Sequence, residues 1–243
     1  MSTLLQNLVA LASSTAGALI ATLVGVSHRN LCALISFAAG TLLATTFFHI
    51  VPEQWELLSI PSILTALASG YLLFYLISKY VFHVCPACAA SHFEHQSPEQ
   101  SKSIVVLLAI ALTVHNLMDG MAIAIGSQPT HHEDLSIFAT VTIHKFPEGL
   151  ALCALLLKAG YQKKKALLTT LLFESTTLIG WIIGALLAQG LVANRLLSLL
   201  LVHIGGGFVY LAIHAVINES EEHSPRFVIL FFLAGIILMA FVR

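Results

Sequence analysis

Long apolar runs, separated by short polar stretches, follow one another along almost the whole chain. None of them alternates strictly between apolar and polar residues, as a membrane-spanning β-strand would, so each run predicts a helix. A helix needs about 20 apolar residues to cross the hydrocarbon of a bilayer. The pattern therefore predicts an all-α membrane protein, a bundle of eight transmembrane helices with spans near 4–26, 31–51, 60–82, 104–126, 135–158, 166–190, 196–217 and 227–242.

The composition leads to the same class and removes others. Apolar residues make up 58% of the chain and charged residues only 9%, against about 25% charged in an ordinary soluble domain. This excludes a soluble globular protein. With 11 basic and 12 acidic side chains, the chain also lacks the cationic surface that a nucleic-acid backbone demands, so we expect no nucleic-acid partner. The lipid bilayer is the expected surrounding.

The basic residues of the connections predict the orientation of the bundle. The even-numbered connections hold only Arg195, whereas the odd-numbered ones hold eight basic residues: Arg29, Lys79, Lys102, Lys158, Lys163, Lys164, Lys165 and Arg226. Because cytosolic loops are enriched in Lys and Arg, the odd connections are predicted to lie in the cytosol. Both termini are then on the non-cytosolic side.

The longest connection, at about 83–103, is too short for a second domain, so residues 1–243 are predicted to form a single transmembrane domain. This connection is also a candidate metal-binding loop, because its cysteine and histidine side chains supply thiolate and imidazole ligands that suit zinc or copper(I). A flexible loop without metal is the alternative. A thioredoxin-like redox role would need a strand–helix context, which the sequence lacks. The candidate ligands of this loop, on the predicted cytosolic side of the membrane, are His83, Cys85, Cys88, His92 and His95.

Four charged side chains stand out in the interior of the predicted spans, away from their ends, namely Asp119, Lys145, Glu148 and Glu174. A charge at mid-bilayer depth costs about 2.5–3.5 kcal/mol on insertion scales, so each needs a compensating role. Three acids and one lysine sum to a charge of −2. One divalent cation would balance that remainder if all four groups met in one cavity and nearby histidines were neutral.

Spans four and five carry matching motifs, VHNLMDGMAIAIG and IHKFPEGLALCAL. His115 and Asp119 are four residues apart and share a helix face, as do His144 and Glu148. Two such helices packed face to face would converge two imidazoles and two carboxylates, which suits zinc, iron or manganese. A buried polar network that merely fixes helix packing is the alternative.

The motifs HNxxDG and HKxPEG, together with FFHIVPE at the end of span two, resemble the ZIP family of zinc- and iron-transporting membrane proteins. The resemblance implies that the two His/acid pairs hold the metal and that Asn116 and Glu174 contribute to an adjacent position. Some relatives hold a second metal there, using an acid where this chain has Lys145. A protonated ammonium cannot ligate, so a single site is expected, with Lys145 tethering the carboxylates.

Other histidines allow two readings each. His49 and Glu53 flank Pro52 at the outer end of span two, where they could gather cations at an entrance or simply face headgroups. His203 and His214 lie eleven residues apart, on one face of span seven. They could line the metal pathway or be core groups with satisfied hydrogen bonds.

We hypothesise that the protein is a carrier and not an enzyme. Its single transporter domain would bring divalent metal into the cytosol, a direction implied by the resemblance. Zinc is the expected substrate, with iron, manganese or cadmium open, and no organic cofactor is expected. The alternatives are an intramembrane zinc-dependent hydrolase, although the usual HExxH helix is absent, and a metal exporter. A multi-pass protein of the plasma or inner membrane is expected, and a homodimer stays open.

Overall fold

The computed structural model describes residues 2–24, 27–82, 98–126, 134–191 and 194–242, and all regular structure in these ranges is helical. The helix at His28–Thr45 continues through a π-helical turn at Thr46–Ile50 and the short turns Val51–Glu53 and Gln54–Glu56. The main helices of the described ranges are α1 Thr3–Leu23, α2 His28–Thr45, α3 Ile60–Leu76, α4 Pro98–Gly126, α5 Asp134–Lys158, α6 Lys163–Glu174, α7 Thr176–Leu186, α8 Asn194–Glu222 and α9 Pro225–Phe241.

The predicted class, an all-helical membrane protein, is confirmed. Within the described residues, six helical stretches are long and apolar enough to cross a bilayer: Thr3–Leu23, Arg29–Glu56, Ile60–Tyr80, Leu135–Leu157, Lys163–Gln189 and Asn194–Glu221. Helix α9 adds a shorter apolar helix of 17 residues, and α4 contains the predicted fourth span. The count of eight spans and the placement of the termini stay predictions.

Two helix boundaries differ in position from the apolar runs. Helix α4 begins at Pro98, so residues 98–103 of the predicted loop are helical. The predicted sixth span is interrupted at Ser175, where α6 ends and α7 begins. Residues 83–97 of the loop, with all five of its candidate metal ligands, lie outside the described residues.

The helices pack as two groups. In the first group α1 packs along α5 and α4 along α7, and α6 fits against α1 and α5. In the second group α9 packs along α2 and α3 along α8, with α2 and α8 also in contact. The main contact between the groups is that of α2 with α5, where the hydroxyls of Thr45 and Thr140 hydrogen-bond to each other.

Each of the four tightest helix pairs is joined by glycines facing backbone on both sides. A methyl group added at any of these positions would collide with a carbonyl oxygen of the neighbouring helix, so only hydrogen fits there. Such small-residue contacts are the usual means of close helix packing in membranes. The glycine pairs are Gly17 and Gly149 for α1 and α5, Gly120 and Gly180 for α4 and α7, Gly40 and Gly235 for α2 and α9, and Gly70 and Gly206 for α3 and α8.

The helices of a tight pair run parallel. The Ser13 hydroxyl donates to the carbonyl of Thr142, and Gly17 faces the carbonyl of Phe146 one turn further along both helices. The two residues of the first contact are 129 positions apart in the sequence, and those of the second contact are equally far apart. Only parallel helices keep this separation constant. The middle of α5 lies between α1 and the facing helix α4. The motif residues lie in this region.

Candidate metal centre

The two motifs meet between α4 and α5. One ligand atom from each of His115, Asp119, His144 and Glu148 lies within 4.8 Å of the others. Nε2 of His144 is 3.2 Å from Oδ2 of Asp119, and Nε2 of His115 is 3.4 Å from the same oxygen. His115 also approaches Oε2 of Glu148 at 3.9 Å. The helix faces predicted from the spacing are therefore the faces that converge.

This cluster is almost completely withdrawn from its surroundings. The side chain of Asp119 is fully buried, and those of His115 and Glu148 are each 9% exposed. Leaving a buried polar atom without a hydrogen bond costs about 1–3 kcal/mol, more when the group is charged. Within the part of the chain that the structure describes, the atoms without a hydrogen-bond partner include Nδ1 of His115, Oδ1 of Asp119, Oε1 of Glu148 and Oε1 of Glu174.

The orientation of His144 suits a metal ligand. Its Nδ1 lies 2.8 Å from the carbonyl oxygen of Thr140, and because a carbonyl can only accept, Nδ1 is the nitrogen that donates. In a neutral ring Nε2 then carries a lone pair, which faces the carboxylate of Asp119. Two electron-rich atoms face each other there unless a proton or a metal ion lies between them. A hydrogen bond from the remote ring nitrogen is also how proteins orient ligating histidines.

Lys145 lies at the centre of the acidic side chains. Its Nζ is 3.1 Å from Oδ2 of Asp119, 3.0 Å from Oε2 of Glu148 and 3.1 Å from Oε2 of Glu174. It also donates to Oδ1 of Asn116. The four charged groups thus share one cavity with a formal charge of −2, the arrangement on which the charge argument from the sequence depends.

Asn116 and Glu174 are placed by the end of α6. The side-chain amide of Asn116 donates to the carbonyl of Phe173 at 3.0 Å. Glu174 is the last residue of α6, and its side chain is fully buried. The interruption at Ser175 therefore lies where α6 delivers its carboxylate to Lys145. Both residues adjoin the His/acid cluster through their contacts with Lys145.

Aromatic rings of the second helix group cover the cluster. Phe208 of α8 lies edge-on to both imidazoles, with ring centroids 6.2 Å from His115 and 6.1 Å from His144. Phe74 of α3 approaches His115 in the same way at 6.5 Å. These two rings cover the side of the cluster that faces α3 and α8. The sequence reasoning missed both, because a phenylalanine in an apolar span carries no local signal of what it covers.

The remaining candidates lie elsewhere. His49 is buried, and its Nε2 donates to the carbonyl of Met239 at 3.0 Å, while Glu53 accepts from the neighbouring Gln54 side chain at 3.4 Å. His203 hydrogen-bonds to Ser69 at 2.8 Å. His214 stacks on a tyrosine ring of its own helix. None of these four joins the cluster, and their roles at an entrance or along a pathway stay predictions.

A second set of ligand-type side chains was also missed. Cys32 of α2 lies close to Glu219 of α8 and to His223, just beyond the end of α8. The spacing of Glu219 and His223 repeats the four-residue spacing of the two motifs, which was a usable signal. The proximity of Cys32, nearly two hundred residues away along the chain, was not.

A buried meeting point of imidazoles and carboxylates in an apolar helical bundle defines a metal-handling membrane protein. The family model described as ZIP Zinc transporter matches residues 87–243, well over half of the chain, and the chain belongs to this family. It is 33% identical to zinc transporter zipt-7.2 of Caenorhabditis elegans over 148 residues, which are 58% of this chain and 32% of that protein.

Two further relatives agree. Zinc transporter ZIP10 of Homo sapiens is 32% identical over 118 residues, 46% of this chain and 14% of that protein. Metal cation symporter ZIP8 of Homo sapiens is 25% identical over 120 residues, 49% of this chain and 25% of that protein. The chain therefore spans about a third or less of the curated relatives' length. The family resemblance predicted from the motifs is confirmed.

Proposed function

We propose that this protein carries divalent transition-metal ions, zinc first, across the membrane through a site formed by His115, Asp119, His144 and Glu148. The observation that carries the proposal is the convergence of these four ligand atoms within 4.8 Å in the middle of two apolar helices. Two nitrogens and two oxygens at this spacing match the ligand types of zinc. Zinc as the preferred ion is supported by the names of the relatives, which are zinc transporters.

The charge of the cavity favours a cation over a purely structural network. Lys145 neutralises one of three buried carboxylates and leaves −2. A packing network would be more stable with matched charges, because buried uncompensated charge is strongly destabilising. A single divalent ion between the imidazoles and the carboxylates supplies the missing charge.

The packing supports a transport cycle in which the two helix groups move against each other. The ligands belong to α4 and α5 of the first group, whereas Phe74 and Phe208, which cover them, belong to the second. A relative displacement of the groups would uncover the cluster without breaking its ligand set. The proposed net direction is into the cytosol, across the plasma or inner membrane, and it is taken from the family resemblance.

Reconstitution of the whole chain into liposomes containing a fluorescent zinc indicator tests this function. We expect external zinc to raise the internal signal in protein-containing vesicles well above that of protein-free vesicles, with iron, manganese and cadmium compared as competitors. The same vesicles should be assayed for hydrolysis of their lipids and of an added apolar peptide. A protein that leaves internal zinc unchanged while it hydrolyses either substrate would be an enzyme and not a carrier.

The number of metal ions at the centre is set by Lys145 in this proposal. Lys145→Asp would change the formal charge of the cavity from −2 to −4, which matches two divalent ions, and would add a ligand. We expect this variant to bind one more zinc ion per chain than wild type, as measured by elemental analysis of the purified protein. Lys163→Asp makes the same substitution at an exposed position of α6 and should leave the ratio unchanged. An unchanged ratio in Lys145→Asp would contradict the role given to the lysine.

A further inference from the structure

Cys32, Glu219 and His223 form a compact group away from the proposed carrier site. Their ligand atoms, one sulfur, one oxygen and one nitrogen, all lie within 4.8 Å of one another. Cys32 and Glu219 are each only 1% exposed. Nδ1 of His223 is 3.7 Å from Oε2 of Glu219. Three different ligand types thus meet where α2 begins and α8 ends.

The group is separate from the carrier site. Phe208 of α8 lies at the level of the two ligating histidines, and Glu219 follows it by eleven residues along the same helix. At 1.5 Å per residue the two levels are about 16 Å apart. This distance is roughly half of the ~30 Å hydrocarbon thickness. With the carrier site in mid-membrane, Cys32 and Glu219 therefore lie near one membrane face.

The local structure holds the ligands in place. Glu219 and His223 occupy successive turns at the end of α8, and the amide of His223 still donates to the carbonyl of Glu219 at 2.9 Å. The ring of His223 stacks on Phe227, and the guanidinium of Arg29 lies 5.0 Å from the Phe227 ring. The carboxyl end of α8 also carries the negative end of the helix dipole, which favours a cation.

We propose that Cys32, Glu219 and His223 bind one zinc ion, with cadmium as the softer ion that the thiolate would also accept. Sulfur, imidazole and carboxylate are all zinc ligands, and three protein ligands leave a fourth position open for water or for exchange. In the proposed orientation this end of the bundle faces the cytosol, so the site would receive ions that leave the carrier site. That role rests on the proposed function, whereas the binding itself does not.

Cobalt(II) tests the site, because a cobalt–thiolate bond gives a charge-transfer absorption that histidine and carboxylate ligands do not. The full chain carrying Cys85→Ser and Cys88→Ser, which removes the loop thiols, should be titrated with cobalt in detergent. We expect one thiolate charge-transfer band that zinc abolishes by competition. Cys32→Ser should remove the band, and Glu219→Gln or His223→Asn should weaken cobalt affinity by about tenfold or more.

Cys153→Ser is the matched control, because Cys153 is also buried but belongs to no such group among the described residues. This control should keep the band, and so should His144→Ala, so the result does not depend on the carrier site. Cys32→Ser should still bind cobalt without the thiolate band if it is folded. A missing band in the starting protein, or a band that survives Cys32→Ser, would overturn the proposal.

Discussion

Zinc uptake into liposomes is expected to fall by at least about a hundredfold when either His144 or Glu148 is replaced with alanine, since even outer partners of metal ligands are worth 10–100-fold in affinity. His144 contributes the Nε2 lone pair that faces Asp119 at 3.2 Å. Glu148 contributes an oxygen that also contacts Lys145. Initial uptake rates and zinc affinity by calorimetry, measured on the same preparations, report transport and binding separately.

Glu56→Ala serves as the control for this experiment. Glu56 is an exposed carboxylate beyond the end of α2, so the substitution removes the same charge without touching the cluster, and uptake should stay at the wild-type rate. The three proteins must elute as single folded species in size-exclusion chromatography. Wild-type uptake by folded His144→Ala and Glu148→Ala would refute the assignment of the carrier site to this cluster.

Gly120→Ala is expected to cost about 3 kcal/mol or more of stability, at or above the upper end of ordinary overpacking. The added methyl group would meet the carbonyl oxygen of Thr177 and would lie 2.6 Å from the amide nitrogen of Trp181. Neither backbone atom can turn away as a side chain can. In a helix without close neighbours the same substitution would stabilise the helix by about 1 kcal/mol. A measured loss of stability would therefore come from the collision with α7. Thermal unfolding in detergent, followed by circular dichroism, measures it.

Displacing α4 from α7 should also weaken metal binding, because α4 carries Asp119 directly before the glycine and His115 one turn before Asp119. Gly205→Ala is the matched control within a helix. The nearest atoms to its added methyl group would all belong to side chains, those of Thr46 at 3.1 Å and Ile50 at 3.7 Å, so we expect a much smaller loss of stability. Equal stability of Gly120→Ala and wild type would show that α4 and α7 do not rely on this close approach.

Much of the centre was accessible from spacing alone. A four-residue interval places two side chains on one helix face wherever the helix packs, so the pairing of each histidine with its acid needed no tertiary information. The high cost of a charge in lipid then marked Asp119, Lys145, Glu148 and Glu174 as groups that must be compensated. The convergence of the two helices followed only on the assumption that the faces meet.

Other features had no local signal. The polar residues at 174–177 fall inside the predicted sixth span, but their spacing did not show that the helix is interrupted at Ser175 or that Glu174 meets Lys145 of another helix. The phenylalanines that cover the imidazoles come from the other helix group. The glycines were visible as packing residues, but the carbonyl that each one faces was not.

By itself the sequence determined the helical membrane class, the family and the residue types of the candidate centre, because hydropathy and residue spacing act over a few turns of one helix. Only the tertiary structure decided that Lys145 contacts three carboxylates at once and that Cys32 joins Glu219 and His223. Both groupings depend on which helix faces are in contact. That choice is made by backbone packing at glycines far apart in the chain, and no local pattern encodes it.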